Sequence, residues 1–102
     1  MIRHVVCLTP ATPESAATLP GLMEELAALV GGIEGFRACR HGRNIDAEGL
    51  SPGVSHLFTC DFDDAAALAR YADDPRHKAL GARLVAACAP GGIVVYDMDV
   101  AS

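Results

Sequence analysis

Tryptophan is absent from the chain, and it carries only three phenylalanines and two tyrosines. With so few rings, each one near a candidate site is informative. Compact cysteine spacing is missing as well: Cys7, Cys39, Cys60 and Cys88 lie far apart with no C-x-x-C pair, which argues against the usual zinc patterns. Each lies in an apolar run and reads as a small buried filler, in a compartment where disulfides are not expected. Positive charge is scarce. Eight Lys and Arg stand against thirteen Asp and Glu, for a net charge of −5, and the basic residues are scattered. A groove for a phosphate backbone is therefore not expected, and nucleic acid is not a predicted partner. Apolar runs such as "GGIVVY" are far too short to cross a bilayer, and "MIRHVVCLTP" has too short an apolar stretch for a signal peptide. The expectation is a cytoplasmic protein with no membrane partner. No phosphate loop, nucleophile elbow or dinucleotide fingerprint occurs, so no cofactor is predicted.

What the chain does have is apolar surface. Its 102 residues suit a single domain over 1–102 with a modest core, yet 51% of them are hydrophobic, more than one small core needs. That excess predicts an oligomer. "IRHVVCL" is rich in β-branched residues and apolar on both parities, as in a strand covered on both faces. "TPESAATLPGLMEELAALVGG" reads as helix, with Thr12 as cap, Pro13 at the first position, Leu22, Met23, Leu26, Leu29 and Val30 at helical spacing, and Gly31 and Gly32 ending it. Pro20 interrupts this pattern, so the helix either kinks there or begins near Leu19.

"IEGFRACRHG" is a second strand, residues 41 to 53 a loop, and "VSHLFTCDF" a third strand with Val54, His56, Phe58, Cys60 and Phe62 on one face. "DDAAALARYA" is a helix opened by Asp63 or Asp64, "DPRHKALGARLVAACA" a helix opened by Asp74 and Pro75, and "GGIVVYDMDV" a closing strand. The order βαββααβ gives an α+β, ferredoxin-like subunit: a four-stranded antiparallel sheet with helices on one face. The uncovered face predicts a homodimer formed across a twofold axis. The first and third strands are expected to be neighbours, running parallel, so that His4 and His56 converge between sheet and helices.

His77 occupies the third position of its helix, where the positive end of the helix dipole disfavours imidazolium and favours a neutral ring able to accept a proton. Tyr71 precedes it by six residues, and its hydroxyl is expected to reach across the intervening turn toward the same space. His41, beside the polar loop, is expected to be solvated.

"IRHVV" at the amino terminus, "CDFDDAAALARYADDPRHKAL" in the second half and "VVYDMDV" at the end resemble the stress-responsive A/B barrel domain (Dabb) family across nearly the whole chain. The resemblance implies a ferredoxin-like subunit that dimerises through its sheets into an α+β barrel. The family includes a plant polyketide cyclase, olivetolic acid cyclase, which closes a linear tetraketide by cofactor-free aldol condensation. By that resemblance its strand histidines correspond to His4 and His56, its helix tyrosine to Tyr71 and its general base to His77, while a further tyrosine on its first helix is replaced by Leu26.

These residues support a small-molecule site in which His77 takes a proton from carbon, Tyr71 holds the base or an enolate oxygen, and His4 and His56 donate hydrogen bonds or shuttle protons. Three other readings stand beside it. One is a non-catalytic, stress-responsive barrel that binds a ligand or is purely structural. A second is a metal site of three neutral imidazoles. The third, allowed by the fold, is a cofactor-independent monooxygenase.

Overall fold

Burial along the first strand alternates: Val6 and Leu8 are sealed from solvent while Val5, Cys7 and Thr9 are only partly covered. Even-numbered side chains of this strand therefore face the core. The structure, a computed structural model describing residues 1–101, builds on that strand in the order β1 (Ile2–Pro10), α1 (Pro13–Ala16), α2 (Leu19–Ala27), β2 (Phe36–Arg43), β3 (His56–Phe62), α3 (Ala65–Asp73), α4 (Pro75–Ala87) and β4 (Cys88–Asp99). The sheet order is β2-β3-β1-β4, with every neighbouring pair antiparallel. This is the ferredoxin-like α+β arrangement.

The antiparallel pairing of β1 and β3 corrects the parallel pairing expected from the sequence. The helical crossover returns β2 parallel to β1, and the β2–β3 hairpin then reverses direction, so β3 must oppose β1.

Thr12 starts a helix, but the helix is one turn long. Its hydroxyl accepts from the Ser15 amide at 3.0 Å, and the Ser15 hydroxyl accepts from the Thr12 amide at 2.9 Å. Pro20 then falls in the first turn of α2, where its missing N–H costs nothing, so the chain restarts at Leu19 and does not kink. This helix buries Leu19, Leu22, Met23 and Leu26 and stops at Ala27, earlier than the expected Gly31. Asp64 caps α3 by accepting from the Ala67 amide, which leaves Asp63 free to pair with Arg37. Asp74 and Pro75 open α4 as predicted.

Between sheet and helices lies one core, built around Leu8, Leu26, Phe36, Phe58, Phe62, Tyr71, Leu80 and Leu84. Not all four cysteines belong to it. Cys60 and Cys88 are buried, but Cys39 is half-buried on the edge strand β2 and Cys7 lies on the opposite sheet face, correcting the filler reading for those two. The expected loop also starts later: β2 continues through the exposed His41 to Arg43. Asn44, Asp46 and Ser51 then hold the connection through their side chains.

The other sheet face is uncovered. Val94, Tyr96 and Met98 stand exposed there, beside an Arg3–Asp61 ion pair closed by two hydrogen bonds of 2.7 and 3.1 Å. No helix among the described residues is long and apolar enough to cross a membrane.

Gly35 shows how tightly α3 seats on the sheet. Its φ is +85°, and a Cβ there would lie 2.5 Å from the Ala67 Cβ. Gly35→Ala should therefore lower stability by about 2–4 kcal/mol in a urea titration, through left-handed strain and overpacking together. A loss below about 0.5 kcal/mol, the range of ordinary surface changes, would show that α3 is not seated as described.

Candidate active site

Antiparallel register aligns four side chains in one row on the core face of the sheet. Cys39 pairs with Cys60, Cys60 with His4, and His4 with Asp97. Directly opposed residues share a face, so this row runs across all four strands beneath the helices.

His4 Nδ1 lies 2.6 Å from Asp97 Oδ1. A carboxylate only accepts, so Nδ1 carries the proton and Nε2 is left for another partner. His77, at the third position of α4, is fixed in a similar way: its Nδ1 faces the Ala72 carbonyl at 3.3 Å. A carbonyl also only accepts, so the neutral His77 ring keeps its lone pair on Nε2. Burial pushes the His77 pKa below its ordinary value, and the nearby His4 pushes the same way, while the Ala72 carbonyl and Asp74 oppose them. The shift runs in the direction expected from the helix terminus, with burial as its main cause.

Tyr71 lies behind both imidazoles. Its ring centroid is 4.1 Å from that of His77 and 5.9 Å from that of His4, and it also packs on Phe36 and Phe62. The hydroxyl is sealed from solvent without a well-formed hydrogen bond, on the side of the Cys60 thiol. Burial first, and then the Cys60 and Cys39 thiols, hold the phenol in its protonated form. The hydroxyl was expected to reach the space the histidines share; instead the ring packs on them and the hydroxyl does not open onto their cavity.

That cavity has a volume of about 240 Å³ and lies between α4, β1 and β4. His4 and His77 are its polar groups; Val6, Phe58, Leu84, Ile93 and the exposed Val85 and Val95 supply an apolar lining. Gly81 of α4 opens onto it, and a Cβ at that position would meet nothing within 4 Å. A larger groove of about 420 Å³ runs along α2 and α4, but its charged groups, Glu25 and Arg83, are paired with each other. The smaller cavity is where the two imidazoles meet apolar space.

His56 is not brought into this group. It opposes Leu8, four residues along β1 from His4, which sets the two histidines about 13 Å apart along the strands. They share a face, as expected, but the antiparallel register keeps them from converging. The His56 Nδ1 instead meets the Ser55 hydroxyl at 2.9 Å. Among the described residues no group of three His, Cys, Asp or Glu side chains is placed to hold a metal ion. Asp97 and Gly81 were not anticipated from sequence. Asp97 belongs to the site only through the β1–β4 register, and nothing in its neighbourhood, "YDMD", marks it.

An antiparallel four-stranded sheet, helices on one face and an imidazole-lined cavity between the layers define a ferredoxin-like α+β protein. The chain belongs to the Stress responsive A/B Barrel Domain family, whose model matches residues 2–100. It is 29% identical over 76 residues to the stress-response A/B barrel domain-containing protein HS1 of Arabidopsis thaliana, covering 74% of this chain and 70% of that one. A dimeric ferredoxin-like protein from Jannaschia sp. CCS1 superposes with a TM-score of 0.91 at 36% identity, over 97% of this chain and 98% of that one. The hydroxynitrile lyase of Passiflora edulis shares the fold alone, with a TM-score of 0.74 at 15% identity over 95% of this chain and 90% of that one.

Because burial disfavours protonated His77, the stability its neutral form contributes is complete above the unfolded-state value near pH 6.5 and is lost as pH falls through the lower folded-state value. An NMR titration should find the His77 ring titrating below 6.5, and His77→Gln should flatten the stability profile over that window. Titration at or above 6.5 would contradict the burial described here.

Proposed function

We propose that this protein is a cofactor-independent, polyketide-cyclase-like enzyme acting on a small, largely apolar carbonyl compound by general base catalysis. The observation that carries the reading is the pair of imidazoles, His77 and His4, each with Nδ1 occupied and Nε2 free, on one apolar cavity. In this reading His77 Nε2 takes a proton from the carbon between two carbonyls, and the electrons of that C–H bond pass into an enolate. The enolate carbon attacks a second carbonyl of the same molecule, forming a C–C bond and an alkoxide. His77 then gives that proton up and His4 Nε2 relays it to the alkoxide oxygen, while Asp97 offsets the charge on the His4 ring during the relay, so that both rings end as they began.

Tyr71 acts in this scheme as a positioning residue, holding the His77 ring by packing. Its buried hydroxyl is not asked to touch substrate. His56, at the far end of the same face, is given no step. The cavity lies below the roughly 300 Å³ at which pockets for drug-sized ligands begin, so a compact substrate fits better than an extended one.

The subunit is also read as one half of a homodimer. Support comes from the exposed Val94, Tyr96 and Met98 on the helix-free sheet face and from the dimeric state of the Jannaschia relative. Light scattering behind size exclusion should give twice the 10.6 kDa chain mass at micromolar concentration, and a monomer would overturn this.

The chemistry is tested by deuterium incorporation into a panel of small aryl and alkyl 1,3-diketones. Wild type should accelerate exchange, and His77→Ala should lose about 10²–10⁴-fold of that rate, the usual contribution of a positioned base. Tyr71→Phe should keep most of the rate and fold at least as well, because it removes a buried hydroxyl that lacks a partner. Exchange by His77→Ala equal to that of wild type would eliminate the mechanism.

A further inference from the structure

The row that carries His4 ends, on its other side, in two facing thiols. Cys39 and Cys60 are directly opposed across the β2–β3 pair, with their sulfurs 3.9 Å apart. Directly opposed residues of an antiparallel pair have Cα atoms about 4.5–5.5 Å apart, inside the roughly 4.4–6.8 Å that a disulfide spans. Closing the bond requires side-chain rotation and a small shift, and β2 is an edge strand held by a neighbour on one side only. The other two cysteines have no such partner: Cys7 opposes Leu57 and Val94, and Cys88 opposes Pro10.

The two thiols also differ in access. Cys39 is half-buried, whereas Cys60 is fully enclosed. An oxidant from solvent can reach the first but not the second.

We propose that Cys39 and Cys60 form a reversible oxidation site, at which a hydroperoxide converts the facing thiols into an intrachain disulfide next to the Tyr71 hydroxyl. The Cys39 thiolate attacks one oxygen of the peroxide and the O–O bond breaks; with hydrogen peroxide, water leaves and Cys39 becomes a sulfenic acid. The Cys60 sulfur then attacks that sulfur, its proton passing to the sulfenic hydroxyl, which leaves as a second water as the S–S bond forms. Two thiols give up two electrons and two protons, and one hydrogen peroxide becomes two waters. The S–H of Cys60 points at the Cys39 sulfur and lowers the Cys39 pKa, which favours the thiolate at the accessible position. Oxidation then replaces the Cys60 thiol near Tyr71, whose ring packs on His77, by a disulfide, which links the thiol state to the cavity. The proposal does not rest on the cyclase reading and survives its failure.

The test treats the intact, fully reduced protein with hydrogen peroxide, counts free thiols with a chromogenic disulfide, and maps cross-links by mass spectrometry without reduction. The count should fall from four to two, with a 39–60 cross-link, and dithiothreitol should restore it. Cys39→Ser, or Cys39→Ala should the serine variant misfold, should keep its three remaining thiols at the same dose. Loss of no thiol, a cross-link between chains through Cys7, or sulfinic acid without a 39–60 bond would each overturn the proposal. In a Tyr96→Phe background, which leaves Tyr71 as the sole tyrosine, oxidation should change the near-ultraviolet circular dichroism reversibly; an unchanged signal would overturn the link to Tyr71.

Discussion

The register in which β1 pairs with its two neighbours decides which side chains of this protein can meet. Val6 and Leu8 face the helices on β1, Phe58 and Phe62 do so on β3, and His4 and Cys60 occupy the same parity. A slip of one residue would turn every one of these outward. Each large apolar side chain lost from the interior would forfeit roughly 1.5–3 kcal/mol, so a handful of them holds the register against any alternative. The polar members of the row are thus placed by the greasy ones. His4 meets Asp97, and Cys39 meets Cys60, because valine, leucine and phenylalanine two residues away have nowhere else to go.

The same parity divides the sheet into two faces with different work. The face beneath the helices carries His4, Cys39 and Cys60 and packs against Tyr71 of α3 and His77 of α4. The opposite face carries Arg3 and Asp61 in a two-bond ion pair and, on β4, a run of exposed valine, tyrosine and methionine. Asp61 is nearly enclosed even in the single chain, and the Arg3 guanidinium beside it holds its carboxyl below the usual carboxylate range. Association across that face would leave the chemistry of the other undisturbed, because the sheet itself lies between them.

Much of this was legible in the sequence. Strand parity, the Asp74–Pro75 helix start and the apolar excess each rest on local rules, and each found its counterpart in the fold. The one-turn α1 was half visible, since Pro20 signalled a break without saying whether the helix bends or restarts. Strand direction was missed: the β-strand patterns of β1 and β3 are the same whichever way they run, and only the connection through the β2–β3 hairpin sets their sense. That error carried His56 into a cluster it does not join. Asp97 and the Cys39–Cys60 contact were invisible for a related reason, being made by residues 93 and 21 positions apart. Sequence spacing carries no trace of a cross-strand register that only the assembled sheet defines.

Gly81 has a consequence of a different kind. It sits in the interior of α4, where glycine costs the helix roughly 1 kcal/mol relative to alanine, and neither its backbone nor any crowded neighbour demands it. The space in front of it belongs to the cavity. Single-base changes in a glycine codon reach alanine and valine, so the size of the chamber can drift by one nucleotide at a time while His4, His77 and Asp97 stay where the sheet and the helix start put them. A lineage could explore new ligands this way without first dismantling the apparatus that handles protons.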